Sequence, residues 1–144
     1  MQRLHVSVAS PADQFDASVA FYATLFGREP TKRREGYAKW QIEDPRVNFV
    51  VERASGCHNA PGIHHVGIEA QDAAELEGLR ARLRASEAPL LEVGDTVCCY
   101  ARSDKTWAVD PNGVRWEAFR STGETDHYGE RRAAELDALA ASRP

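Results

Sequence analysis

The chain has 144 residues, of which 28% are charged and 42% hydrophobic, with a formal net charge of -4. This length allows about one domain with a core of its own, and the composition is ordinary for a globular protein. The acidic balance excludes a general nucleic-acid surface, and no stretch reaches the ~20 apolar residues of a membrane span. Three cysteines do not make a secreted disulfide framework. We therefore expect a cytoplasmic protein with no nucleic-acid or membrane partner.

The first half begins with a strand pattern and then a helix pattern. Residues 4–9 alternate with period two, which predicts a half-buried strand with His5 on the face away from the core. Apolar residues between Phe15 and Phe26 recur at helical spacing, and Gly27 supplies the C-terminal stop. The chain therefore opens with a strand followed by an amphipathic helix.

Two further strand-like runs, residues 37–42 and 47–52, complete a βαβββ plan. The basic run at residues 32–34 is interpreted as a solvated turn, with an anion-binding rim as the alternative. A loop rich in Gly, Asn and Pro, residues 54–62, then separates this half from the next.

The second half repeats the plan of the first in the same order. Asp72 with Glu75 predicts the capped start of a second helix. The other matches are residues 5–8 with 65–68, residues 37–39 with 100–102, and residues 44–47 with 110–114. Four ordered matches are unlike chance and predict an α+β fold of two tandem βαβββ modules. The modules occupy residues 1–54 and 62–122 of one domain, 1–122; residues 123–144 form a C-terminal tail for which a helix is one expectation.

The repeat singles out three residues as metal ligands. Because side chains alternate along a strand, His65 and not His64 is the equivalent of His5. In the last strand of the second half, Glu117 projects opposite its apolar neighbours, and its counterpart in the first half is Val50. The duplicated framework thus offers two imidazoles, one carboxylate and one apolar position.

Two His and one Glu on one side of a divalent metal leave positions open for substrate, water or oxygen. This arrangement suits non-haem Fe(II) and can also hold Zn, Ni or Mn. The alternative is that His5 and His65 are half-exposed strand residues and Glu117 a solvated one. Their matching places in the repeat favour the metal site.

The paired modules with these three residues resemble the vicinal oxygen chelate superfamily, which includes glyoxalase I, bleomycin-resistance proteins, fosfomycin-resistance enzymes and extradiol dioxygenases. The resemblance spans roughly residues 1 to 122. It implies a curled mixed sheet around a metal cavity, with His5, His65 and Glu117 at the ligand positions.

A narrower resemblance rests on the run from Gly94 to Trp107, GDTVCCYARSDKTW, and on residues 30–33. These runs are similar to the carbon-arsenic lyase and cadmium-induced protein group. The resemblance implies cleavage of the carbon-arsenic bond of trivalent organoarsenicals with Fe(II) and dioxygen. It assigns Cys98 and Cys99 as the thiols that capture arsenic.

Soft thiolates bind As(III) and Cd(II) strongly, and two neighbouring thiols bind more tightly than one. Adjacent side chains of a regular strand face opposite ways, so capture of one atom by both Cys98 and Cys99 predicts a loop or bend there. The alternative is one buried and one exposed Cys in an ordinary strand. Cys57 is a further thiol that the motif does not require.

Three more residues near the thiol pair are candidates to line the cavity or to steady an anionic group. They are Tyr100, Arg102 and Lys105. Tyr100 and Lys105 are assigned to catalysis with Glu117, and Arg102 to substrate binding.

The leading hypothesis is an Fe(II)-dependent dioxygenase of trivalent organoarsenicals that acts in detoxification. One rival is a glyoxalase-like isomerase or thiol transferase that uses Ni(II) or Zn(II), with Glu117 also serving as base. Another rival is a non-catalytic protein that sequesters Cd(II) or As(III). The cavity forms either within one chain or by exchange between chains of a homodimer.

Overall fold

The computed structural model describes residues 1–54, 60–129 and 133–141. It divides into two compact units, Leu4–Val66 and Met1–Arg3 with Gly67–Pro144. The boundary falls inside a strand, so the two units do not coincide with the two modules of the sequence repeat.

The first unit contains most of the first module and follows the predicted βαβββ plan. Its elements are β1 (Arg3–Ser10), a short 3-10 turn (Ala12–Gln14), α1 (Phe15–Phe26), β2 (Lys32–Arg34), β3 (Tyr37–Glu43), β4 (Arg46–Arg53) and the beginning of β5 (Gly62–Glu69). The strand order is β2-β3-β4-β1-β5, with β1 parallel to β4 and the β2-β3 and β3-β4 pairs antiparallel. The basic run that we interpreted as a solvated turn is instead the edge strand β2, because its backbone pairs with β3.

One face of this sheet forms the core with α1. The register places Trp40 opposite Phe49, and both side chains are buried under Phe15 and Val19 of the helix. Gly27 ends α1 in the left-handed conformation at φ 65°, which a residue without Cβ adopts at little cost. This face anchors β1, the strand that carries His5.

The other face of the same sheet is polar and yet buried. His5 and Ser7 of β1 lie on it with Asn48 and Glu52 of β4, and all four are at most 5% exposed. The Ser7 hydroxyl donates a hydrogen bond of 2.8 Å to the Glu52 carboxylate. The alternation predicted for β1 is confirmed, and the burial of His5 contradicts the alternative in which it is a half-exposed strand residue.

The second unit continues from β5 into α2 (Ala73–Ala85), β6 (Leu90–Val109), β7 (Arg115–Gly129) and α3 (Ala133–Ala141). Asp72 caps α2, as predicted, by accepting a hydrogen bond of 2.9 Å from the Glu75 backbone N–H. The buried Leu76 and Leu79 of the helix pack on Ala118 of β7. This packing fixes the face of β7 opposite to Glu117.

Strand β6 doubles back on itself. The Val109 backbone N–H donates to the Pro89 carbonyl at 3.4 Å, and the buried Val93 and Trp107 pack in one cluster although both belong to β6. Asp95 also forms an ion pair of 3.1 Å with Arg102. The chain therefore reverses between Asp95 and Arg102, and β6 supplies two strand arms before β7.

The reversal contains Cys98 and Cys99, so the predicted departure from a straight strand is found there. Both residues belong to β6, Cys99 pairs with Gly129 of β7, and the register with β7 shifts between Cys99 and Ala101. The expected loop is therefore a bent strand with an irregular register, because β7 continues alongside it as a pairing partner.

The C-terminal residues add a strand extension and a helix to the second unit. Strand β7 runs to Gly129, beyond the residue-122 boundary expected from the sequence, and α3 supplies the helix expected in the tail. Leu139 of α3 packs against the Val93 and Trp107 cluster, and Asp137 pairs with Arg115 at 2.6 Å. None of the helices in the described ranges is long and apolar enough to cross a membrane.

Candidate metal centre

Two buried imidazoles meet in the first unit. His5 on β1 and His65 on β5 are 5% and 6% exposed, and their Nε2 atoms are 3.1 Å apart. Strands β1 and β5 are neighbours, so the two equivalent positions of the sequence repeat come face to face. The predicted pairing of His5 with His65 is found in the structure.

The spacing of the two nitrogens fits a shared metal ion. Two nitrogens that each lie about 2.1 Å from one ion and subtend 90° at it are about 3.0 Å apart. The distance of 3.1 Å between the His5 and His65 Nε2 atoms is close to that value. The distance between the two Nε2 atoms therefore fits two adjacent positions of an octahedral site.

The backbone of β4 fixes the orientation of His5. The Nδ1 atom of His5 lies 3.0 Å from the Asn48 carbonyl oxygen. Because a carbonyl only accepts, Nδ1 carries a proton, and in the neutral form of this ring the lone pair is on Nε2, the atom that faces His65. Metal-ligating histidines commonly donate their second N–H in this way. No sequence pattern predicts the Asn48 contact, because a backbone carbonyl is present at every residue.

His64 contacts His65 from the neighbouring position. The Nδ1 atoms of the two rings are 2.8 Å apart, and the rings meet edge to face. His64 is half-buried and is not part of the contact between His5 and His65, as the alternation of side chains along β5 predicted. It therefore belongs to the surroundings of the candidate ligands and not to the ligand set.

The candidate carboxylate lies in the second unit. Glu117 on β7 is 5% exposed, and its Oε1 accepts a hydrogen bond of 2.5 Å from the Lys105 ammonium. Lys105 is equally buried and lies 5.8 Å from the centre of the Trp107 ring. Because Trp107 is directly opposite Glu117 in the β6-β7 register, Lys105 is the diagonal cross-strand neighbour of Glu117.

Gly67 allows β5 to approach the backbone of Glu117. A Cβ added at Gly67 would lie 2.4 Å from the Glu117 carbonyl oxygen and 3.2 Å from its Cβ. Real Cβ atoms do not approach a backbone oxygen so closely, so any larger residue would push the strands apart. Gly67 takes the place of Ser7 in the repeat, and that difference is the sequence signal for this close approach.

The remaining predicted site residues lie at or near the β6 reversal. Arg102 is exposed and bound to Asp95, so it faces solvent, whereas Tyr100 is half-buried. Cys99 lies eight positions before Trp107 along β6, which is up to about 26 Å of extended strand. The side chains of Cys98 and Cys99 lie outside the described part of the chain, as does all of Cys57.

A cavity of about 530 Å³ lies elsewhere in the second unit, near the C-terminal end of α2. Trp116 lines it together with Leu83 and Val109. Since adjacent strand residues face opposite ways, Trp116 and Glu117 point to opposite sides of β7. This cavity is therefore separate from the face that carries the candidate carboxylate.

Comparison with known proteins places the fold in a family. Residues 4–118 match the family model described as the Glyoxalase/Bleomycin resistance protein/Dioxygenase superfamily. The chain is 36% identical over 126 residues to a "Trivalent organoarsenical cleaving enzyme" of Thermomonospora curvata, covering 88% of this chain and 82% of that protein. It is 35% identical over 127 residues to the "Cadmium-induced protein CadI" of Mycobacterium bovis, covering 86% and 80%.

A solved structure agrees on the fold. The Mn(II)-bound glyoxalase from Novosphingobium aromaticivorans is similar with a TM-score of 0.61 at 18% identity, over 92% of this chain and 44% of that one. The resemblance to the vicinal oxygen chelate fold is thereby confirmed, and the curled mixed sheet expected from the sequence is the fold of these neighbours. The chain belongs to the glyoxalase/bleomycin resistance protein/dioxygenase superfamily.

Proposed function

We propose that this protein is an Fe(II)-dependent dioxygenase that cleaves the carbon-arsenic bond of trivalent organoarsenicals. The observation that carries the proposal is the similarity, over most of both chains, to a protein named for organoarsenical cleavage. The buried His5 and His65 pair adds a physical reason, because this donor pair fits a catalytic divalent metal.

Glu117 is the proposed third ligand. It is a buried carboxylate at the position that the sequence repeat assigns, and β5 carries both His65 and the Gly67 that abuts the Glu117 backbone. Two imidazoles and one carboxylate leave coordination positions open and suit Fe(II), whereas Ni, Zn or Mn are the alternatives. When bound there, Fe(II) supplies one-electron chemistry with dioxygen.

Three neighbouring groups contact or enclose this donor set. The Asn48 carbonyl holds His5 in the tautomer that offers its Nε2 lone pair. Lys105 supplies a positive charge beside Glu117 and is the proposed catalytic partner of that carboxylate. Trp107 is buried opposite Glu117 and shields the carboxylate from water.

The proposed substrate is a trivalent organoarsenical held by the Cys98 and Cys99 thiols at the β6 reversal. Tyr100, half-buried beside the pair, and Arg102 are the proposed further contacts to the substrate. With dioxygen as the sole oxidant, atoms balance if methylarsonous acid gives formaldehyde and arsenous acid. The carbon-arsenic bond breaks, and one oxygen atom goes to each product.

Arsenic bound at the thiols must also reach the metal ligands. Because Cys99 lies eight positions along β6 from Trp107, the residue opposite Glu117, we propose that the reversal moves toward Glu117 during turnover. The irregular register between Cys99 and Ala101 supports such a movement, because strand pairing is already interrupted there.

The test is anaerobic reconstitution with Fe(II), followed by air and methylarsonous acid, with arsenite and formaldehyde measured. The proposal predicts both products, and no product without Fe(II). A His65→Ala variant, refolded and treated identically, is the matched control and should release neither. Absence of arsenite from the Fe(II)-loaded wild type would contradict the proposal.

A second candidate is sequestration of Cd(II) or As(III) by the thiols without turnover. The similarity to a protein named as cadmium-induced favours this candidate. The distance along β6 between Cys99 and Trp107, the residue opposite Glu117, also favours it. Tight arsenic binding without release of arsenite in the same experiment would select this candidate over the dioxygenase.

A further inference from the structure

The buried Lys105 and Glu117 pair bears on how the proposed site takes up its metal. We infer that the Lys105 ammonium is a built-in competitor of the metal ion for the Glu117 carboxylate. This inference rests on the proposed metal site and concerns its occupancy, not the reaction performed there. In this role Lys105 acts before catalysis, because its ammonium neutralises the Glu117 carboxylate while no metal ion is bound.

The geometry of the pair carries the inference. Lys105 Nζ lies 2.5 Å from Glu117 Oε1, and the two side chains are each 6% exposed. A carboxylate this deeply buried is costly without a countercharge, and removal of one partner of such a pair is strongly destabilising. Lys105 therefore satisfies Glu117 when no metal ion is present.

A divalent ion on Glu117 places its charge close to the same ammonium. Carboxylate oxygens bind such ions at about 2.0–2.2 Å, so an ion on Oε1, the oxygen that lies 2.5 Å from Lys105 Nζ, would be within about 5 Å of an ammonium that stayed in place. Like charges at that separation in a buried site repel strongly. The metal ion and the Lys105 ammonium cannot both occupy the carboxylate without a cost in metal affinity.

Trp107 offers the displaced ammonium a second position. Its ring centre is already 5.8 Å from Lys105 Nζ, within the range of a cation-π contact. Because Trp107 and Lys105 are two residues apart on β6, their side chains share a face. A small rotation of the lysine side chain toward the ring would release Glu117 and keep the ammonium stabilised.

The experiment measures the affinity for Mn(II), by the electron paramagnetic resonance signal of the free ion, in wild type and Lys105→Met. Mn(II) prefers oxygen and nitrogen ligands, so the cysteine thiols interfere little. We expect Lys105→Met to bind one Mn(II) at least about tenfold tighter, because the ion then no longer competes with the Lys105 ammonium for the buried carboxylate. Lys105→Arg keeps the charge and should stay within about threefold of wild type.

Two controls make the result specific. Lys32→Met removes the same charge on β2, the edge strand three positions from β1, and should leave Mn(II) affinity unchanged. Glu117→Gln should abolish the gain when combined with Lys105→Met. If Lys105→Met does not fold, Lys105→Gln replaces it, because its amide still donates a hydrogen bond to Glu117 without a charge.

Each outcome decides the inference. Tighter Mn(II) binding by Lys105→Met or Lys105→Gln than by wild type supports competition between Lys105 and the metal ion. The same conclusion holds if wild type binds Mn(II) too weakly to measure and the variant binds it measurably. Equal or weaker binding by the variant, beside Glu117-dependent binding by wild type, overturns the inference and leaves the metal site intact. If neither protein binds Mn(II) in a Glu117-dependent way, both the inference and the proposed metal site fail.

Discussion

Replacement of Gly67 with alanine tests the close approach of β5 to β7. The added Cβ would lie 2.4 Å from the Glu117 carbonyl oxygen, about 1 Å inside an ordinary contact, and the obstacle is a backbone atom that cannot rotate away. The strands must separate, which we expect to cost about 1–3 kcal/mol of unfolding free energy. Urea unfolding followed by circular dichroism measures this loss.

Gly78→Ala is the matched control for the Gly67 experiment. A Cβ at Gly78 meets only the tip of the Arg82 side chain at 3.8 Å, and Gly78 lies inside α2. Alanine there should stabilise the protein by about 0.5–1 kcal/mol, because glycine is unfavourable in a helix interior. A Gly67→Ala protein as stable as wild type, beside a stabilised Gly78→Ala protein, would refute the close approach of the two strands.

Three further predictions concern the metal, the thiols and a surface ion pair. Glu117→Gln should lower Fe(II) affinity by more than about tenfold in anaerobic equilibrium dialysis, and unchanged stoichiometric binding would show that the third ligand lies elsewhere. Replacement of both Cys98 and Cys99 with serine should abolish arsenite release, whereas a fully active double variant would remove the thiols from the mechanism. Arg84 hydrogen-bonds Glu92 and lowers its pKa below the ordinary 4.5, so Arg84→Gln should raise the pKa of Glu92 in an NMR titration. Because the pKa of Glu92 is lower in the folded protein, its ion pair stabilises the fold above pH 4.5, and this stabilisation is lost as the pH falls through the pKa of Glu92 in the folded protein. A Glu92 pKa that Arg84→Gln leaves unchanged would contradict the assigned cause.

The sequence was sufficient to predict the fold and the pairing of His5 with His65. Both predictions depend on the two-residue period of a strand and on the internal repeat, which are visible without any contact information. The repeat also identified Gly67 as the residue that replaces Ser7, although its physical role became clear only from the backbone of Glu117 beside it.

The burial of the His5 face and the partner of Glu117 could not be predicted in the same way. Period-two alternation separates two faces of a strand, but it does not show which polar face other residues will enclose. The Lys105 contact depends on the register of β6 against β7, and register is set by turns and irregularities that leave weak sequence signals. The sequence predicted a bend at Cys98 and Cys99, because adjacent strand residues face opposite ways. It did not predict that β6 would continue to pair with β7 there, because that pairing depends on the same register.

We propose that the protein uses dioxygen to cleave a carbon-arsenic bond, with His5, His65 and Glu117 as the metal ligands. The most direct measurement compares dioxygen consumed with arsenite released by the Fe(II)-loaded protein supplied with methylarsonous acid. We expect one dioxygen to be consumed for each arsenite released, with formaldehyde formed in equal amount. Arsenite release without consumption of dioxygen, or dioxygen consumption without arsenite, would contradict it.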